Sequence, residues 1–227
     1  MTVRLAVLVS GGGTNLQAII DSCEAGQLAA EVAVVVSTRR QAFALQRAER
    51  HGIPTVVVSR KRYGDDLHAF SQAVLQAVSP YQPDLVLLAG FMSVLTEPFI
   101  SAYAGRIMNT HPALIPAFAG PGFYGQRVHQ AVLDYGVKVS GATIIFVEAG
   151  VDSGPIILQE AVPVYDDDTV DSLSSRVLQV EHRLYVQAVK LFSEGRLRLC
   201  GRRVRILPEK SGEVDDHAEE SADQRIG

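Results

Sequence analysis

Asn109 and His111 stand two residues apart in NTHP, at the end of the run RIMNTH. On an extended backbone, residues two apart face the same side. An amide donor beside an imidazole is a pair suited to stabilising an oxyanion. Taken singly, His111 reads equally well as a satisfied structural histidine. A third group stands in GVDSGP, Gly150 to Pro155. Asp152 there is either an Asx-type turn residue or a carboxylate that pairs with an imidazole and raises its pKa. The sequence does not place Asp152 beside His111.

The stretch VLVSGGGTNLQAII, Val7 to Ile20, suggests a second kind of chemistry. A strand, a glycine turn and a helix start aim backbone N–H groups at one point, where an anion binds well. Gly13, Thr14 and Asn15 would hold a phosphate there; a plain strand-to-helix turn is the simpler reading. A Walker A loop needs Lys-Ser/Thr after its last glycine, and Thr14-Asn15 follows here. A dinucleotide fingerprint needs a third glycine where Leu16 stands, and an acid after the second strand. That strand ends in Ser37-Thr38-Arg39-Arg40. The two arginines keep an NADP site open as an alternative. Glu181 borders an apolar helical stripe; it is either a solvated helix-face acid or a half-sheltered one accepting hydrogen bonds from ligand hydroxyls. His51, His68, His129 and His217 have no companions that suggest a metal or catalysis, so no metal is expected.

These groups must be positioned by a recurring pattern of elements. VRLAVLVS, EVAVVVS, PTVVVS, DLVLLAG and RIMNTH read as strands, alternating with helical stretches at NLQAIIDSCEAG, QAFALQRAERHG, about Asp65 to Val78, and PFISAYAG. Strands this apolar on both faces belong inside a mostly parallel sheet covered by helices. The expected fold class is α/β, a doubly wound, mostly parallel central sheet with helices on both faces. PALIPAFAGPGFYGQ, Pro112 to Gln126, is a long loop, of the length that is usually functional or disordered. A short helix near QRVHQAVLDYG and two further strands follow. Thr169 then caps a long helix with its stripe at Leu173, Val177, Val180, Leu184, Ala188 and Leu191. RLRLCGRRVRIL reads as a terminal hairpin. One domain over residues 1–208 is expected, with a polar, acidic and disordered tail over 209–227.

Composition narrows the function class. The net charge is −4 with both signs interleaved, which gives no nucleic-acid surface. Cys23 and Cys200 are far apart, as in a reduced, cytosolic protein. The run LVLLAGFMSVL is too short to span a bilayer, and no signal-like segment opens the chain. A cytoplasmic protein acting on small molecules, with no membrane contact, is the expectation; it would be a monomer or homodimer.

Together, SGGGTNLQAII, LAGFM, NTHPALIP, GVDSGPII and RVLQVEHRLY resemble, in order and spacing, the phosphoribosylglycinamide formyltransferases. The resemblance spans about residues 3 to 207. It implies transfer of formyl from 10-formyltetrahydrofolate, a cosubstrate, to the amine of glycinamide ribonucleotide in purine synthesis. It implies that Gly13, Thr14 and Asn15 hold the ribonucleotide phosphate and that Glu181 takes the ribose hydroxyls. It further implies a folate pocket from Met92, Ser93, Val94, Leu95 and Asn109, with Glu148, Ala149, Gly150, Val151 and Asp152 closing on the pterin. Asn109, His111 and Asp152 match the family's catalytic trio. Ser93, Ile145 and Ala149 depart from residues common in the family, and an arginine expected near Asp66 or Leu67 is unmatched, with Arg60 and Arg62 nearby. The alternatives are a formyltetrahydrofolate deformylase on the same fold and an NADP- or other nucleotide-binding protein.

Overall fold

A computed structural model of the chain describes residues 2–209. Of the expected acidic tail, only Glu209 falls within them; the rest lies outside the described residues. The order of elements is β1 (Val3–Val9), α1 (Thr14–Glu24), β2 (Ala30–Ser37), α2 (Phe43–Arg50), β3 (Thr55–Val57), α3 (Leu67–Val78) and β4 (Leu85–Leu88). Then come α4 (Glu97–Ala102), β5 (Ile107–His111), α5 (Gln126–Tyr135), β6 (Val139–Phe146), β7 (Ile156–Pro163), α6 (Val170–Ser193), β8 (Leu197–Cys200) and β9 (Arg203–Ile206).

These nine strands form one sheet in the order β3-β2-β1-β4-β5-β6-β7-β9-β8. From β3 to β5 every pairing is parallel. β6 runs antiparallel to both β5 and β7. The apolar runs are buried for the reason the sequence suggests: each face of the sheet is covered. On β1, Leu5, Val7 and Val9 pack on one side with Leu16, Ile19, Leu184 and Tyr185. Ala6 and Leu8 pack on the other with Phe70, Val74 and Phe99. At ~25 cal/mol per Å² of apolar area removed from water, such two-sided burial does most to hold the centre together.

Helix starts follow local chemistry. α3 begins two residues later than the periodicity suggests, because the Asp66 carboxylate accepts from the Ala69 N–H at 2.8 Å and caps the helix. The long helix α6 starts at a capping box: Ser172 N–H donates to the Thr169 hydroxyl, and Thr169 N–H to the Ser172 hydroxyl. All six residues of its apolar stripe are buried. The expected hairpin forms between β8 and β9.

The strand order reverses between β1 and β4, so the chain leaves their carboxyl ends in opposite directions. This opens a crevice there, where ligands bind in doubly wound folds. The Ser10 to Gly13 turn, the segment after β4 and the carboxyl end of β5 all meet at that edge.

Candidate active site

Each catalytic candidate is placed by a different device. Asn109 and His111 end β5, whose register is set on both sides by pairings of Asn109 with Leu88 and Ile145. Asp152 comes from the turn between β6 and β7. Its φ of 51° lies in the left-handed region, which aspartate tolerates better than most residues. The turn is pressed against the end of β6: a Cβ on Gly154 would stand 1.8 Å from the Phe146 carbonyl oxygen. Only glycine fits there, and the turn is thereby locked against the strand that neighbours β5.

The trio converges. Asn109 Nδ2 donates to Asp152 Oδ1 at 3.4 Å, and His111 Nδ1 lies 3.4 Å from Asp152 Oδ2. The two side chains of that pair are only 4% and 8% exposed. His111 Nε2 is 2.8 Å from the carbonyl oxygen of Phe118. A carbonyl can only accept, so Nε2 carries a proton and Nδ1 is the ring atom presented to Asp152. The long loop supplies that carbonyl and also the Gly120 N–H, which donates to Asp152 Oδ2 at 3.1 Å. The loop is tied down by Thr143, whose hydroxyl donates to Ala113 O at 2.6 Å and accepts from Ile115 N–H at 3.2 Å. It is an ordered wall of the site. Asp152 is therefore more than a turn residue: it gathers an amide, an imidazole and a backbone N–H in a poorly solvated corner, where such interactions are strong.

The glycine loop builds the second corner. The first bond of α1 runs from Gln17 N–H to Gly13 O at 2.9 Å. The preceding N–H groups of the turn have no intrahelical acceptor. Asn15 is 8% exposed, and its buried Oδ1 has no partner among the described residues. Behind the loop, Arg47 donates from Nε to Gly12 O at 2.9 Å and from its guanidinium to Gln17 Oε1 at 3.0 Å. Gly13 adopts φ 74°, and a Cβ there would meet Ala44 Cβ at 2.5 Å. Gly13→Ala should therefore cost about 2–5 kcal/mol of stability, from left-handed strain plus overpacking of α1 on α2. Urea unfolding measures this, and a loss below about 1 kcal/mol would show the loop to be slack.

Glu181 corrects the simpler expectation for a helix-face acid. It is 8% exposed. Tyr185, one turn later and fully buried, holds α6 against the strand ends with its hydroxyl 2.9 Å from Met108 O and 3.3 Å from Leu88 O. Burial pushes the Glu181 carboxyl up to about 7, partly offset by a hydrogen bond from the Thr110 hydroxyl to Oε1 at 2.7 Å.

These corners border one cleft of about 700 Å³. Its lining includes Asn15, Met92, Ser93, Val94, Leu95, Asn109, His111, Glu148, Gly150, Val151, Asp152 and Glu181. Gly13, Thr14 and Ala149 are not part of the lining; the first two flank it at the start of α1. Met92 is held by its N–H donating at 2.9 Å to the Ser10 hydroxyl, which also accepts from Thr38 at 2.7 Å. Arg39 borders the same cleft as Asn15.

Four lining residues have no role assigned by the sequence patterns: Phe91, Thr110, Tyr124 and His129. His129 belongs to the cleft wall. It is 4% exposed in the cleft wall, and burial, then the proximity of His111, lower its pKa. It sits among the apolar residues of α5, so nothing in its local sequence separates it from a packed core histidine. Among the described residues, no group of three or more His, Cys, Asp or Glu is placed to hold a metal ion. None of their helices is long and apolar enough to cross a membrane.

A family model described as "Formyl transferase" matches residues 3–189. A phosphoribosylglycinamide formyltransferase of Haemophilus influenzae is 39% identical over 196 residues, covering 86% of this chain and 90% of the relative. The trifunctional purine biosynthetic protein adenosine-3 of Bos taurus is 43% identical over 196 residues, covering 86% of this chain. The chain spans 19% of that relative's length. The crystal structure of glycinamide ribonucleotide transformylase 1 from Symbiobacterium toebii superposes with a TM-score of 0.86 at 47% identity, covering 91% of this chain and 95% of that one. The family model spans most of the chain, and the chain belongs to the formyl transferase family.

Proposed function

We propose that the protein transfers the formyl group of 10-formyltetrahydrofolate to the amino group of glycinamide ribonucleotide. The observation that carries this is the convergence of Asn109, His111 and Asp152 in a cleft that also reaches a helix N-terminus. The glycine turn and Asn15 take the phosphate and Glu181 takes the ribose hydroxyls, so the amine is anchored from its far end. The rest of the cleft suits the folate. Phe91, Met92, Val94, Leu95, Ile145 and Val147 offer apolar walls for a flat heteroaromatic ring, and the backbone of residues 148–152 offers polar groups at its edge.

The folate supplies an electrophilic formyl carbon. The ribonucleotide amine attacks it, forming one C–N bond and turning the carbonyl oxygen into an oxyanion. Asn109 Nδ2 donates to that oxygen, and the imidazolium of His111, whose Nδ1 faces Asp152, stabilises the same negative charge through its positive ring. Asp152 stabilises the positive ring and receives the amine proton for relay to the folate nitrogen as the second C–N bond breaks. The Nε2 bond to Phe118 fixes the ring so that Nδ1 faces Asp152. No step requires a metal.

An assay with purified protein and both substrates tests this. Formylated ribonucleotide should appear in proportion to folate consumed. Folate hydrolysis at the same rate with or without the ribonucleotide would make the protein a deformylase instead.

A further inference from the structure

The residue between Asn109 and His111 has a task of its own. Strand geometry turns Thr110 away from the face shared by its two neighbours. Its hydroxyl donates to Glu181 Oε1 at 2.7 Å, across 71 positions of sequence, and both residues are 8% exposed. No other hydrogen bond from the described residues reaches this carboxylate. Glu181 lines the cleft, so with Oε1 anchored, Oε2 is left for a ligand.

We infer that Thr110 is a specificity-determining positioning residue, whose hydroxyl orients Glu181 so that the carboxylate accepts hydrogen bonds from the two ribose hydroxyls of the substrate. The inference rests on Glu181 being the ribose ligand. Its physical basis is entropic and geometric. A free glutamate on a helix samples several rotamers, and hydroxyl recognition needs the acceptor held within a few tenths of an ångström. Thr110 supplies that restraint from the strand that carries the oxyanion donors. β5 is paired on both sides, with Thr110 opposite Ile144 on β6 and Asn109 opposite Leu88 on β4. The diol acceptor and the carbonyl donors are thus positioned by consecutive residues of one rigid strand, and a substrate gripped at its ribose is presented in register with Asn109 and His111.

The test is a cycle of enzyme and substrate variants. Thr110→Val keeps the shape and removes the donor; Thr110→Ser keeps the donor. For the natural ribonucleotide, T110V should raise KM about tenfold, as expected for losing a hydrogen bond to a charged group, with kcat within about threefold. T110S should stay near wild type. For an analogue whose ribose lacks both hydroxyls, the T110V penalty should shrink to under about twofold. An equal penalty on both substrates would mean that Thr110 is merely structural, and so overturn the inference. Glu181→Gln separates the two readings. If E181Q weakens ribonucleotide binding and T110V does not, the inference fails and the ribose role of Glu181 stands. If neither variant affects binding, both fail. Should T110V fold poorly, T110A read against T110S carries the same comparison.

Discussion

Asp152→Asn is expected to lower kcat by about 10²–10⁴-fold while leaving the ribonucleotide Kd within about threefold. The substitution is chosen for what it preserves. Asparagine tolerates the left-handed φ of 51° that this turn requires. Its side-chain oxygen can still accept from the Gly120 N–H that reaches Asp152 at 3.1 Å. What disappears is the negative charge 3.4 Å from His111 Nδ1, in a corner where both side chains are nearly shut off from water. Without it, the imidazolium that should stabilise the oxyanion loses its counter-charge, and the amine proton loses its acceptor. Charge stabilisation in a dry site usually contributes more than any other effect to catalysis of this kind, and loss of one oxyanion donor alone costs on the order of 10²–10³. Single-turnover kinetics and calorimetric titration of the ribonucleotide separate chemistry from binding. A kcat within threefold of wild type would remove Asp152 from the mechanism.

Glu181→Gln should stabilise the free protein at pH 8 while weakening ribonucleotide binding at least about tenfold. In the unfolded chain this carboxyl titrates near 4.5, and in the folded protein burial raises it to about 7. Below pH 4.5 both states hold the proton and the group costs nothing. Between 4.5 and about 7 the unfolded chain releases its proton first, so stability falls as pH rises. Above about 7 the cost is complete, on the order of 3 kcal/mol. Glutamine removes that cost and keeps an acceptor for the Thr110 hydroxyl. Denaturant unfolding at pH 5 and pH 8 should show the gain mainly at the higher pH. An equal gain at both would assign it to packing instead. The site would then be an instance of function held at the expense of stability: the carboxylate is kept, uncomfortable, for the hydroxyls it grips.

Much of this was legible in the residues. The two-sided apolar strands, the glycine turn and the stripe of α6 come from local pattern, because burial and helix periodicity act over a few residues. Asn109 and His111 were readable as a pair because a strand places i and i+2 on one face. Asp152 was ambiguous because its partners lie about forty residues away, and the contact depends on how β6 and β7 return along β5. His129 gave no sign of lining a cleft, and Glu181 stayed open between a solvated and a sheltered acid, for the same reason. Their burial is set by α5 and α6 packing over the carboxyl edge of the sheet.

By itself, the sequence determined which segments fold into strands and helices, and which edge of the sheet could receive a ligand, since these follow from short-range hydrophobic pattern and turn chemistry. Only the tertiary structure decided that Asp152 meets His111, that the long loop locks Nε2 with a backbone carbonyl, and that Thr110 reaches Glu181. The contacts of Asp152 and of Glu181 join groups far apart in the chain, at 3.4 and 2.7 Å. Their energies depend on burial, which exists only once the layers have closed.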